Sequence, residues 1–269
     1  MCGRYVIISE IKEIEKRFGV FAPQPELFQK NVNVSAGERA PVISSANPGE
    51  LSFYHFGFSP AWSEKRMYLL NARSEGDANA DNDPAYTGGL GIIQKPAFRK
   101  AIRSQRCLVV ADAFLEGPEK EKLSKPYCVY KKDGERPFAF AGIWEEWLNK
   151  TTGELLPTFT IITAPANDVL RAIGHHRAPV ILPKEAEALW LDPEVPLAEI
   201  TKYLHSPVNG SLNAYPISPD IKKASEKDPW LLKPTGERVL KEYRYELHES
   251  LKLEGMGSTS ARQRKLDLG

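Results

Sequence analysis

Three observations predict an α+β fold. Short apolar runs recur from residue 5 to residue 182, helical periodicity appears at only three places among them, and the two do not alternate regularly as in a doubly wound sheet. Residues 5–8 are apolar, and Ile11, Ile14 and Phe18 follow at spacings of three and four, which predicts a helix. Ser9 is placed to cap its start and Gly19 to end it. Residues 31–60 read as short strands with turns at Ala36-Gly37 and Pro48-Gly49. Residues 74–91, rich in Gly, Asp, Asn and Ala, read as a long loop of the kind that carries function. The run 106–116 reads as one buried strand, 126–130, 138–144 and 158–163 as further strands, 166–173 as a short helix, 179–182 as an apolar segment, and 184–191 as a helix. After about residue 220 the composition shifts: 233–253 is charged and reads as partly helical, and 255–269 is polar and reads as disordered. The expected division is a catalytic domain over 2–220 and a C-terminal extension over 221–269, with no internal repeat.

The 269 residues carry 36 Lys+Arg against 35 Asp+Glu, a net charge of +1, which excludes a polybasic, histone-like protein. It leaves room for a local basic groove, since phosphate binding needs a patch and no global excess. No apolar run approaches the ~20 residues of a membrane span, and the first ten residues, with Glu10, hold no signal-peptide core. The expectation is a cytoplasmic protein without a membrane partner. Three cysteines, Cys2, Cys107 and Cys128, make no disulfide framework, and the absence of a CxxC pair argues against a zinc site. Cys107, inside an apolar run, reads as a small buried hydrophobe.

Chemistry concentrates in four segments. The first is Cys2-Gly3-Arg4-Tyr5. A small residue at position two permits removal of the initiator Met, leaving Cys2 with an α-amine and a thiol on adjacent carbons. The amine, with a pKa of about 8, is partly neutral at pH 7. It can form a Schiff base with an aldehyde, and the thiol can then close a five-membered thiazolidine, which an internal cysteine cannot do. Gly3 leaves room for a substrate, and Arg4 can hold a phosphate by a bidentate contact. The second, Asn71-Ala72-Arg73-Ser74-Glu75, offers an amide to a reacting centre and a guanidinium to a phosphate. The third runs from Arg106 to Glu116 and ends on a carboxylate in apolar surroundings, where a raised pKa suits proton transfer. The fourth, Ile173-Gly174-His175-His176-Arg177-Ala178-Pro179, holds two adjacent histidines that do not point the same way. One of them reads as a general acid or base, and no third residue at ligand spacing makes a metal site of them.

In this order, the four segments resemble the SOS response-associated peptidase (SRAP) family, with its Met-Cys-Gly-Arg start, Asn-Ala-Arg-x-Glu motif, Arg-Cys-Leu-x-x-Ala-Asp-x-Phe-x-Glu motif and closing His-x-Arg segment. The resemblance covers about residues 2–220 and implies a single domain with a mostly antiparallel, barrel-like β core flanked by helices. It implies catalytic roles for Cys2, Asn71, Glu116 and His175, the last preferred to His176 because the family's histidine lies two residues before the arginine, here Arg177. It implies DNA contacts at Arg4 and Arg73, and at Phe58 and Trp62 in an aromatic platform over 56–62. Phe56 and Gly117 stand where the family commonly has Trp, and Ala178 where it has Met.

The implied function is capture of abasic sites in single-stranded DNA by a monomer without cofactor or metal, cytoplasmic and, in a bacterium, associated with the nucleoid. In the implied mechanism His175 opens the sugar ring, the Cys2 amine attacks the aldehyde while Glu116 shuttles the proton, Asn71 positions both partners, and the thiol closes the ring. The competing readings are an N-terminal-nucleophile cysteine amidohydrolase, an autopeptidase using Cys2 and His175, and a single-stranded DNA-binding module without chemistry.

Overall fold

The β-branched and aromatic runs form strands, as their pattern predicts. The computed structural model describes residues 3–242. Along the chain lie β1 (Tyr5–Ile7), α1 (Ile11–Phe18), β2 (Asn31–Val34), β3 (Arg39–Ser44), β4 (Asn47–Phe56) and β5 (Asn71–Arg73). These are followed by α2 (Ala101–Ser104), β6 (Arg106–Ala111), β7 (Ala113–Glu116), β8 (Tyr127–Lys131), β9 (Phe138–Leu148) and β10 (Leu155–Pro165). The last are α3 (Asp168–Ala172), β11 (Arg177–Pro179), α4 (Lys184–Leu191), α5 (Leu197–Ile200) and β12 (Leu212–Pro216).

Five strands close into a barrel. β4 pairs antiparallel with β3, β3 with β6, β6 with β9 and β9 with β10, and a parallel pairing of Thr158 and Phe159 with His55 and Phe56 brings β10 back to β4. Closure removes the exposed edges that an open sheet would present. The interior is aromatic: Phe56 stacks on Phe159 with ring centroids 5.2 Å apart, and Tyr5 meets Phe56 and Phe140 edge-on. A second, antiparallel sheet runs in the order β12-β8-β7-β1-β2. The α+β class and the mostly antiparallel barrel core are therefore as the sequence and its resemblance led us to expect.

Three local readings are corrected. The run 106–116 is two strands, β6 in the barrel and β7 in the second sheet, separated by Asp112. The buried Asp112 carboxylate accepts from the backbone N–H groups of Ile8 and Ser9 and from the Ser9 hydroxyl, so the chain changes sheet there without leaving a polar group unsatisfied. Ser9 is thereby committed, and Glu10 occupies the cap position of α1, its N–H donating to the Glu13 side chain at 2.7 Å. The hairpin between β3 and β4 turns at Ser45-Ala46, while Pro48 and Gly49 lie within β4. Gly19, in the left-handed region at φ 67°, ends α1 as expected.

The packed body continues past residue 220. Ile221, Leu231 and Leu232 are buried with Val6, Ile8 and Tyr215, and the Val239 N–H donates to the Ala214 carbonyl. Residues 233–242 form no helix, and the rest of the extension read from the sequence, 243–269, lies outside the described residues. No helix among the described residues is long and apolar enough to cross a membrane.

Candidate active site

The site begins where β1 meets β7. Tyr5 pairs with Phe114, and the Leu115 N–H donates to the Arg4 carbonyl at 3.0 Å, so the ladder continues one residue further toward the chain start. The next step of this antiparallel register sets Gly3 opposite Glu116. Cys2 lies outside the described residues; its covalent position is one residue beyond Gly3.

Glu116 ends β7 with only 5% exposure, and burial pushes its carboxyl up to about 7. His175, 6% exposed, lies with its Nε2 3.3 Å from Glu116 Oε2. Its other nitrogen, Nδ1, is 2.8 Å from the Gly117 carbonyl oxygen. A carbonyl only accepts, so Nδ1 carries the proton and the Nε2 of the neutral ring is an acceptor facing Glu116. Burial holds the imidazole down at about 3, so the ring stays neutral at pH 7, while the carboxyl, raised to about 7, both holds and releases a proton near neutrality. The backbone fixes this arrangement: Gly174 takes a left-handed conformation at φ 78° after α3, and its carbonyl accepts from the Glu119 N–H. Gly117 has no room for a side chain, since a Cβ there would overlap the Lys122 carbonyl oxygen. That explains glycine at a position where the resembled family commonly has Trp.

His176 takes a different position. Its ring tilts against that of His175 at 5.0 Å between centroids, and its Nδ1 lies 3.5 Å from Glu119 Oε2 near the surface. Of the two histidines, His175 is the one that faces Glu116.

Asn71 and Arg73 open and close β5, which runs parallel to β10 with Asn71 opposite Ile161 and Arg73 opposite Thr163. On the other side of β10, Thr163 pairs with Pro179 and Pro165 with Arg177. β10 thus links the Asn71 segment to the histidine segment. The Asn71 amide is half-buried and donates to the Leu70 carbonyl at 2.9 Å.

An ion pair between two motif residues, whose pairing the sequence did not show, locks these segments together. Arg177 grips Glu75 with two nitrogens, at 2.8 and 2.9 Å, and also donates to the Thr163 carbonyl at 2.7 Å, all nearly excluded from water. Only the placement of Glu75 four residues after Asn71, and of Arg177 two after His175, hinted at it.

The expected DNA contacts divide. Trp62 is 64% exposed on the loop between β4 and β5, a loop anchored by the Ala61 N–H on Glu145 and by Trp147 Nε1 on the Ser63 carbonyl. Phe58 is wholly buried and packs edge-on against Phe98, so its ring has no face for a base, and its expected DNA contact is withdrawn. The motif places an aromatic there, but its side chain faces the core. Arg4 is half-buried, one nitrogen donating to Asn33 Oδ1 at 2.7 Å and another to the Lys222 carbonyl at 3.4 Å. Cys107 and Cys128 are buried, and burial pushes both thiols up, Cys128 to about 12, so neither is a nucleophile. No cluster of His, Cys, Asp or Glu among the described residues is arranged to hold a metal.

The model of the SOS response associated peptidase (SRAP) family matches residues 1–224. Abasic site processing protein YoqW of Bacillus subtilis (strain 168) is 31% identical over 239 residues, spanning 86% of this chain and 99% of the relative. Abasic site processing protein HMCES of Gallus gallus is 33% identical over 171 residues, 56% of this chain and 50% of that protein. A crystal structure of a protein from Bacteroides thetaiotaomicron superimposes with a TM-score of 0.73 at 29% identity, covering 87% of this chain and all of that one. With the family model matching most of its length, the chain belongs to the SRAP family.

Proposed function

We propose that this protein processes abasic sites in single-stranded DNA, joining the sugar covalently to Cys2 after removal of Met1. The observation that carries the reading is the buried Glu116–His175 pair at 3.3 Å, whose carboxylate ends β7, the strand that pairs with β1. The names of the relatives, abasic site processing proteins, support the substrate.

The proposed steps use one proton reservoir. The open form of an abasic sugar carries an aldehyde. The Cys2 amine, in its neutral form, adds to the carbonyl carbon, the Glu116 carboxyl protonates the developing alkoxide, and the carboxylate so formed takes back a proton from the ammonium nitrogen. The resulting carbinolamine loses water, its hydroxyl leaving with a proton from the pair, to give a Schiff base. The Cys2 thiol adds across the C=N bond, its proton passing to the nitrogen, and the thiazolidine is complete with one water lost overall. His175 Nε2, a neutral acceptor, takes the anomeric hydroxyl's proton when the closed sugar opens, and the imidazolium so formed returns that proton to the departing ring oxygen. Water is kept from the pair by burial, so these transfers occur among preorganised groups. Asn71 is assigned the positioning of the sugar, Arg73 and Arg4 the neighbouring phosphates, and Trp62 a stacked base. One copy of the chain supplies every group, so the protein is proposed to act as a monomer inside the cell, without a cofactor.

The test is mass spectrometry of the crosslinked N-terminal peptide. The reading predicts a peptide starting at Cys2, heavier by the abasic fragment less one water, unchanged by borohydride and not alkylated by iodoacetamide. An alkylatable thiol would reduce the product to a simple Schiff base. Attachment at a residue other than Cys2 would contradict the mechanism, and label at Cys2 from a glutamine-analogue electrophile, without DNA capture, would favour the amidohydrolase.

A further inference from the structure

The side chain of Asn33 is fully buried, yet every polar atom it has is used on two segments far apart in sequence. Its Oδ1 accepts from the Arg4 guanidinium at 2.7 Å. Its Nδ2 donates to the carbonyls of Ile221 at 2.9 Å and of Lys223 and Glu226 at 3.0 Å. The backbone joins in, the Asn33 carbonyl accepting from Lys227 Nζ at 2.6 Å, while Lys227 also pairs with Glu38 at 2.8 Å. Arg4 adds its own bond to this turn through the Lys222 carbonyl. Residues 221–227 thus wrap around one amide side chain, and that amide holds Arg4.

Arg4 is two residues from Cys2, so the reach from one Cα to the other is at most ~7 Å. Burial of a satisfied amide makes this anchor stiff: breaking it would leave three carbonyls and a guanidinium to find other partners. A carboxamide accepts from a guanidinium through its oxygen and has two N–H groups to donate to carbonyls on the other side, without carrying charge.

We infer that Asn33 is a positioning residue for the reactive N-terminus, holding Arg4 against the 221–227 turn so that the chain start stays aimed at the Glu116–His175 pair. It rests on the reading that the Cys2 amine is the attacking group. It makes a segment beyond the expected 2–220 domain part of the catalytic machinery. It also gives Arg4 a task besides phosphate contact, because one arm of its guanidinium is spent on Asn33.

The experiment compares wild type with Asn33→Ala and Asn33→Asp in the full, untagged chain, each well below its own melting temperature. Crosslinking to an abasic oligonucleotide is timed at saturating DNA, and half-saturation is measured separately. Asn33→Ala is expected to slow the saturated rate ~10–100-fold, the scale of a small misplacement of a reacting group, with half-saturation unchanged. Asn33→Asp keeps the acceptor for Arg4 but loses the N–H groups that hold the turn, and is expected to slow the saturated rate as well, by less than Asn33→Ala. Hydrogen exchange at the Leu115 N–H, which is bonded to the Arg4 carbonyl, reads the same anchor without any reaction: it should speed up in Asn33→Ala. An unchanged saturated rate in Asn33→Ala, or slowing matched by an equal loss of half-saturation, overturns the inference. So does unchanged Leu115 exchange, even if the wild type forms no crosslink and the functional reading itself fails. If Asn33→Ala does not fold, Asn33→Ser gives the same comparison.

Discussion

At the scale of single residues, the shared proton of Glu116 and His175 sets the expected pH behaviour. Glu116 binds its proton more tightly folded than unfolded, with its carboxyl raised to about 7 by burial. Stability from this group is therefore full in acid, below the ordinary carboxyl value, and is lost as pH rises through 7. His175 is the opposite case: held down at about 3, it contributes stability above the ordinary imidazole value that is lost as pH falls from there toward 3. Glu116→Gln removes this loss, so its melting temperature should gain on that of wild type between pH 4.5 and 7.5. A constant difference across that range would show that burial does not hold this proton. The same variant should slow crosslinking ~10²–10⁴-fold, the usual worth of a positioned acid or base. Trp62→Ala should weaken binding to single-stranded DNA by ~1–3 kcal/mol, measured by fluorescence titration.

At the scale of elements, the turn after β7 and the salt bridge between the 74–91 loop and β11 hold the site. Gly117→Ala would drive a methyl group into the Lys122 carbonyl and displace the acceptor of His175 Nδ1. We expect it to lose crosslinking while the barrel keeps its far-ultraviolet circular dichroism. Glu75→Ala would leave the buried Arg177 without its partner carboxylate. By analogy with broken buried pairs, urea denaturation should show a loss of ~3–5 kcal/mol. A loss under ~1 kcal/mol would mean that water reaches the guanidinium readily. These two devices also show what could be read in advance. α1 and α4 were legible because each places apolar residues at helical spacing, and Glu116 was legible as a carboxylate closing an apolar run. The break at Asp112 was hidden because both halves of 106–116 are buried and apolar, and the amides that satisfy Asp112 come from more than 100 positions away. Glu75 and Arg177, 102 positions apart, were hidden for the same reason. Phe58 was misread because a motif gives a residue's type but not the face it turns to.

For the whole molecule, closure of the barrel and the return of residues 221–242 onto the second sheet make one body around the site. Truncation after 220 would remove Ile221, Leu231 and Leu232, uncover Val6, Ile8 and Tyr215 beneath them, and remove the turn that holds Asn33. It is expected to lower the melting temperature and to slow crosslinking together. With a net charge of only +1, the protein has little long-range attraction for DNA, so affinity rests on a few local cations. Arg73→Ala should accordingly reduce the slope of log affinity against log salt by about one contact's worth. The central claim, capture of the abasic sugar by Cys2, is tested most directly on a denaturing gel. Untagged wild type and Cys2→Ala are each mixed with single-stranded DNA carrying one abasic site, without reductant. The account predicts a band resistant to heat and detergent in the wild type alone. No such band from protein whose mass confirms that Met1 is gone, or an equal band from Cys2→Ala, would contradict it.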